Sequence, residues 1–320
     1  MRKFEGFQKG VNLGGWISQF DTYSKEHFDT FITKDDIKDI ASLGFDHVRV
    51  PVDYVLFEEE DGTPKEDGFR YLEMCRQWCA DYGLKMLIDL HECYGYSFDP
   101  LKKDMDREKF FYDEDLQARF LNLWSRIAHR FSDYQDQVAF EPLNEVVLKE
   151  VADAWNKVAS AYIRLMRSIV PDSYLIIGGV CYNSVTSVPL LDIPLDDKIV
   201  YNFHCYEPLE FTHQGAYWVP WLDPDKRVSF EEAGIPEDFF DRCFAPAIEA
   251  ARKNNTSLYC GEYGVIDLAA PEDTLKWYQR IHEAFEKYGI ARCAWSYKEM
   301  DFGLSDKRLD GIREELLKLL

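Results

Sequence analysis

The stretch Thr33-Lys34-Asp35-Asp36-Ile37-Lys38-Asp39-Ile40-Ala41-Ser42-Leu43-Gly44-Phe45-Asp46-His47-Val48-Arg49-Val50-Pro51 holds one full alternation of helix and strand. Thr33 is an N-cap with Asp36 three places on, Ile37, Ile40 and Ala41 share a helical face, and Gly44 ends the helix. Phe45 to Val50 follows at once. It is a compact run with β-branched residues ending at Pro51, which suits a buried parallel strand better than an alternating one.

The same pair of signals recurs along the chain. Phe69, Leu72, Cys75, Trp78 and Cys79 mark a helix stopping near Gly83, and Lys85 to Leu90 is the next strand. Leu116, Phe120, Trp124, Ile127 and Phe131 precede the strand Gln137 to Phe140, and Trp155, Val158, Tyr162, Met166 and Ile169 precede Tyr174 to Ile177. Val188 to Leu195 is a weak helix at best. Strands return at Lys198 to Asn202 and Ser257 to Cys260, with a helix through Ala247, Ile248 and Ala251 between them. Pro271 opens a helix that stops at Gly289 before the strand Ile290 to Trp295, and a last helix runs from about Gly311 to Leu319.

With a first strand at Lys9 to Leu13, eight strand signals occupy about the length of one (β/α)8 barrel. The expected architecture is α/β, a single TIM barrel over residues 1–320, with an enlarged loop or small subdomain at 207–238 after the sixth strand. No linker or composition shift divides the chain. A doubly wound open sheet is the competing topology, but Leu13-Gly14-Gly15 and Gly178-Gly179 do not fit its phosphate-binding glycine fingerprint.

Charge narrows the partners. Lys and Arg number 37 against 58 Asp and Glu, a net of −21, which opposes binding to phosphate backbones and anionic membranes. No nucleic-acid or membrane partner is expected, and no run approaches the roughly 18 apolar residues of a membrane span. Arg2, Lys3, Glu5 and Lys9 interrupt the first residues, which lack the apolar run of about 7–15 residues of a signal peptide. The expectation is a cytoplasmic protein or a secreted one with its leader trimmed. The eight cysteines lie scattered in apolar segments and read as reduced core residues, with no disulfide-linked partner. Cys75 and Cys79 share a helical face but lack two further ligands at sensible spacing, so no metal or other cofactor is expected.

A barrel places its chemistry just after each strand. Arg49, His91, the segment Glu141 to Glu145, His204 with Tyr206, Glu262 and Trp295 all interrupt apolar runs at that level. Each alone has a structural explanation, as a buried ion pair, a loop cap or a plug of the barrel mouth; an aligned set points to a site. Glu145 and Glu262 end strands four and seven. Such a pair suits glycoside cleavage, where one acid protonates the leaving oxygen while the other attacks or activates water. Arg49 would keep Glu262 ionised, Tyr206 could donate to it, and Asn144 could hold a sugar 2-hydroxyl. Glu145 is expected to have the higher pKa of the two, because the charge on Glu262 disfavours its ionisation. Trp16, Tyr94, Tyr96, Trp218, Trp221 and Trp295 offer faces for pyranose rings.

The ordered set Gly10-Val11-Asn12-Leu13-Gly14-Gly15-Trp16, His47-Val48-Arg49-Val50-Pro51, Asp89-Leu90-His91, Leu143-Asn144-Glu145, Tyr201-Asn202-Phe203-His204-Cys205-Tyr206, Tyr259-Cys260-Gly261-Glu262-Tyr263-Gly264 and Ala294-Trp295 resembles glycoside hydrolase family 5 over nearly the full length. It is most similar to that family's bacterial endoglucanases of the clostridial cellulase C type. The resemblance implies a retaining (β/α)8 enzyme with carboxyl groups about 5 Å apart. It makes Glu145 the acid/base and Glu262 the nucleophile. Asn144 becomes the partner of the 2-hydroxyl, Arg49, His91, His204 and Tyr206 the hydrogen-bonding shell, and Trp295 the floor of the sugar site. Two positions depart from the pattern. Val146 stands where the family has Pro, and Glu92-Cys93-Tyr94 follows His91 where a His or Asn and a small residue are common.

The expected activity is internal cleavage of β-1,4-linked or mixed-linkage glucans by double displacement, with a β-linked oligo- or polysaccharide as partner. Mannan, xyloglucan and exo-acting cleavage of β-glucan stay open, because specificity lies in loops rather than in the two acids. A metal-dependent hydrolase using His91, Glu92, Glu145 and His204 would need a first-strand His-x-His or a His-Glu-x-x-His helix, and neither occurs. A non-catalytic carbohydrate-binding barrel would be expected to lose one carboxylate, and both are present.

Overall fold

In the computed structural model, which describes residues 1–320, eight parallel strands close into a barrel in chain order. They are β1 (Lys9–Asn12), β2 (His47–Asp53), β3 (Lys85–Glu92), β4 (Val138–Glu141), β5 (Leu175–Gly178), β6 (Ile199–Cys205), β7 (Ser257–Tyr263) and β8 (Ala291–Ala294). The helices are α1 (Lys25–Thr30), α2 (Lys34–Ser42), α3 (Asp67–Tyr82), α4 (Glu114–Phe131), α5 (Ala152–Ile169), α6 (Leu209–Thr212), α7 (Phe239–Lys253), α8 (Pro271–Tyr288) and α9 (Arg313–Leu317). None is long and apolar enough to cross a membrane.

Local chemistry sets the boundaries. Thr33 and Asp36 form the reciprocal capping box of α2, and Gly83 and Gly289 take left-handed conformations that close α3 and α8. After β5 the weak helical signal resolves into a 3-10 segment, Val185–Leu190, with Pro189 inside it. Strands β2, β3, β6 and β7 run two or three residues past their apolar runs. Each extension carries a polar side chain, Asp53, His91, His204 or Glu262, which breaks the apolar signal while the backbone ladder continues.

Two cores follow from strand alternation. Val48, Val50 and Val52 face outward to the helices, whereas the amino-terminal end of the lumen is filled by Phe4, Phe7, Leu87, Ala139, Ile176, Val200 and Tyr259. Above that plug the lumen turns polar. Alternation alone would send Glu262 outward with Cys260, but the β6–β7 register shifts so that Phe203 pairs with Cys260 and His204 with Glu262. Gly261 is the extra residue, and its bulge turns Glu262 inward. A Cβ on Gly261 would lie 2.7 Å from Asn202 Oδ1, so this bulge has no room for a side chain.

Candidate active site

Arg49, wholly buried in β2, organises the lumen. Its Nε and Nη2 donate to both oxygens of Glu141 at 2.7 and 3.1 Å, and Nη1 donates to Asn12 Oδ1 at 2.9 Å and Glu262 Oε1 at 2.8 Å. Nη2 also donates to Asn144 Oδ1 at 2.8 Å and lies 3.0 Å from Asp89 Oδ2. One guanidinium therefore faces three carboxylates, and it is not reserved for Glu262. Burial pushes Asp89 and Glu141 up to about 7 against the pull of Arg49.

Glu145 lies beyond the end of β4 on a segment fixed through its carbonyls. Trp124 Nε1 donates to Pro142 O at 3.0 Å, Asn183 Nδ2 to Asn144 O at 2.5 Å, Tyr96 Oη to Glu145 O at 2.7 Å and the Tyr182 N–H to Val146 O at 3.0 Å. These four bonds supply the stiffness that the family's Pro would give at Val146. Burial raises the Glu145 carboxyl to about 7, with Arg49 partly offsetting it. Loss of solvent, rather than the charge on Glu262 expected from sequence, is the dominant cause.

His204 joins the two acids. Its Nδ1 is 2.7 Å from Glu145 Oε1 and 3.6 Å from Glu262 Oε2. Burial lowers its pKa to about 4, so the ring is neutral near pH 7. Asn183 Nδ2 faces Nε2 at 3.4 Å, which makes Nε2 the acceptor and places the proton on Nδ1. Tyr206 Oη donates to Glu262 Oε2 at 2.9 Å. Glu145, His204 and Glu262 each bring a polar atom within 4.8 Å of the others.

The remaining polar residues close the network. His91 Nδ1 is 2.5 Å from Asp89 Oδ2, its Nε2 faces Asn144 Nδ2 at 3.4 Å, and Asn202 Nδ2 donates to Glu141 Oε1 at 2.8 Å. Asn144 thus spends its oxygen on Arg49 and one N–H on His91, leaving its second N–H unspent. Trp295 lies parallel to His91 with ring centroids 5.7 Å apart, and is only 5% exposed. Gly14 permits this placement, since a Cβ there would meet the indole at 2.8 Å.

The structure brings Arg49, His91, Asn144, Glu145, His204, Tyr206, Glu262 and Trp295 together, and it redistributes the other aromatic residues. Trp16 is fully buried, stacked on Trp78 with its Nε1 donating to Phe28 O at 2.8 Å. It is core and has no face for a sugar. Tyr96 is buried among Phe110 and Phe111, and holds the Glu145 segment by its hydroxyl instead of stacking on substrate. Tyr94 has the Arg119 guanidinium 3.6 Å from its ring centroid and the Tyr54 edge beside it. Trp218 packs against the cluster of Ala216, Ile266, Trp295 and Phe302, with its ring centroid 6.1 Å from that of His213, whereas Trp221 is 60% exposed and outside that cluster. Within the 207–238 segment, Phe230 packs on buried Phe211, and the Gln214 side chain bonds Val228 through its donor and its acceptor. Phe211 and Ile235 belong to the main barrel core and Phe230 packs against it, so the segment is anchored to the barrel. Asn12, Asp89, Glu141, Asn183 and Asn202 are network members that had no assigned role.

Comparison with known proteins agrees with this geometry. Residues 7–301 match the family model described as cellulase, glycosyl hydrolase family 5. The chain is 45% identical over 292 residues to Cellodextrinase A of Ruminococcus flavefaciens, covering 91% of this chain and 86% of that protein. It is 38% identical over 340 residues to Endoglucanase C of Acetivibrio thermocellus, covering 98% of each. Among solved structures, the clostridial cellulose synthase subunit Z of Clostridioides difficile superposes with a TM-score of 0.83 at 25% identity, covering 98% of this chain and 99% of that one. Thermotoga maritima Cel5A, solved with mannotriose, has a TM-score of 0.81 at 24% identity, covering 98% and 97%, and shares the fold. A paired-carboxylate lumen in a closed barrel, and a match of this extent, place the chain in glycosyl hydrolase family 5, the cellulases.

Proposed function

We propose that the protein is a retaining endo-β-glucanase acting on β-1,4-linked or mixed-linkage glucans, with Glu262 as nucleophile and Glu145 as acid/base. The observation that carries this reading is the separation of the two acids: their nearest oxygens lie within 4.8 Å. An inverting pair needs about 6.5–9.5 Å to admit a water, whereas a nucleophile and acid/base pair sits about 5–5.5 Å apart. Glu262 attacks the anomeric carbon while Glu145 gives its proton to the departing oxygen. Water, deprotonated by Glu145, then releases the glycosyl group. His204 donates from Nδ1 to Glu145, the free N–H of Asn144 meets the 2-hydroxyl, and Trp295 lines the floor.

The Glu145 proton sets the pH dependence. Its buried carboxyl titrates at about 7, and protonation of the leaving group requires the acid form, so turnover should fall as pH rises through that value. The pH profile of kcat/KM on an unactivated glucan should show an alkaline limb near 7 that disappears in Glu145→Gln with an activated aryl glycoside. A limb unchanged by that substitution would assign the proton elsewhere.

Internal cleavage is supported by Trp218, which packs against the cluster that holds Trp295 and meets the exposed Tyr217 edge-on with centroids 4.9 Å apart. The relatives named endoglucanase and cellodextrinase differ in the chain length their names imply. Viscosity and reducing ends measured together on carboxymethylcellulose, barley β-glucan, glucomannan and xyloglucan distinguish the outcomes. A steep early fall in viscosity on the first two supports the reading; glucose or cellobiose as sole early product, with viscosity nearly constant, refutes it.

A further inference from the structure

The outer face of the β6 end carries a second cluster, back to back with the acids. Alternation that turns His204 and Tyr206 into the lumen turns Phe203 and Cys205 toward α7, where Phe203 meets Phe244 with centroids 5.1 Å apart. Cys243 precedes Phe244 on α7, and Glu207 follows Tyr206 on the chain. The two sulfurs and a Glu207 oxygen all lie within 4.8 Å of one another. Glu207 is fixed there, since its carbonyl accepts from Trp277 Nε1 at 3.0 Å on α8.

The Glu207 carboxyl has little to hold it. Oε2 accepts the Tyr206 N–H at 3.1 Å. No arginine, lysine or histidine is among the groups acting on it. A half-buried carboxyl beside two thiols and without a counter-charge is a set of donors lacking a cation.

We propose that Cys205, Cys243 and Glu207 bind a thiophilic divalent cation of the zinc class, in a tetrahedral site whose fourth position is taken by water. Metal–sulfur bonds of about 2.3 Å and metal–oxygen bonds of about 2.1 Å put the donors of such a site about 3.6–3.8 Å apart. Each donor needs to close in by less than about 1 Å, within side-chain rotation at half-buried Cys243 and Glu207. Binding converts each thiol to a thiolate and releases its proton, so affinity rises with pH. The Cys75 and Cys79 pair on α3 has no third ligand and serves as an internal control. Sequence spacing does not reveal the cluster because Cys205 and Cys243 are far apart in the chain and meet only when α7 packs on β6.

The test is a Cd²⁺ titration of the reduced full-length protein in a phosphine reductant, following the ultraviolet thiolate-to-cadmium charge-transfer band. Cadmium bound by Glu145, His204 and Glu262 gives no such band, so the two clusters are distinguished. The wild type should saturate at one equivalent, Cys243→Ser should lose the band, Glu207→Gln should weaken binding at least about tenfold, and Cys79→Ser should match the wild type. Circular dichroism confirms that each variant is folded, and Cys243→Ala replaces the serine variant if a hydroxyl there unfolds the chain. A missing band, a band that survives loss of Cys243, or undiminished affinity in Glu207→Gln overturns the assignment.

Discussion

Glu262→Ala should abolish turnover of every glucan, by a factor on the order of 10⁶ in kcat, because no other group lies where a covalent glycosyl intermediate forms. Glu145→Ala should behave differently. It removes the proton donor, worth about 10²–10⁴ on substrates with poor leaving groups, but leaves Glu262 in the grip of Arg49 Nη1 at 2.8 Å and Tyr206 Oη at 2.9 Å. An aryl glycoside with a good leaving group needs no proton, so the first displacement should proceed and the glycosylated variant accumulate. Azide separates the roles by stereochemistry. In Glu145→Ala it attacks the α-linked intermediate and yields a β-glycosyl azide. In Glu262→Ala it takes the nucleophile's place on the β-linked substrate and yields the α-product. Proton NMR of the azides reads the result directly, and the opposite pattern would exchange the two assignments.

The acids were legible in the sequence because they break apolar runs at strand ends, where a barrel collects its chemistry. Their orientation was less legible. Glu262 lies three residues from Tyr259 and one from Gly261, and simple alternation from Tyr259, which faces the lumen, would turn it outward; the bulge at Gly261 reverses that. A glycine before a terminal strand carboxylate was the available signal. Asp89 and Glu141 were visible as charges inside apolar strands, two residues from His91 and four from Glu145, and their shared partner Arg49 could have been sought on those grounds. Asn183 had no signal, since it reaches Asn144 and His204 from the loop after β5 with a positive φ of 52°. Trp16 and Tyr96 show the other limit. A motif gives the identity of a ring but not which neighbours cover it, and Trp78, Phe28, Phe110 and Phe111 come from other segments.

Arg49→Ala should lose stability as well as turnover. Its guanidinium meets Asp89, Glu141 and Glu262 at 3.0, 2.7 and 2.8 Å in a site closed to water. Removing one partner of a buried pair costs about 3–5 kcal/mol, because the other is left charged and unpaired, and unfolding should come on the order of 10 °C earlier. The penalty must depend on pH. Asp89 and Glu141 already titrate at about 7 in the folded wild type, above their unfolded values near 4. A carboxyl raised in this way favours the folded state at low pH, and that advantage is lost as pH rises through the folded value. Without Arg49 both folded values move higher still. The wild type stops losing stability once these groups ionise beside Arg49, while the variant keeps losing it further up. The gap between the two in thermal or urea unfolding should therefore open above about pH 7 and narrow toward pH 5. Arg49→Lys completes the argument. It restores a charge but not the fork that reaches Glu141, Asn144 and Glu262 together, so most of the stability should return while kcat/KM stays about 10²–10³ below wild type. Equal recovery of both would reduce Arg49 to a counter-charge, and a stability gap independent of pH would show that Asp89 and Glu141 do not depend on it.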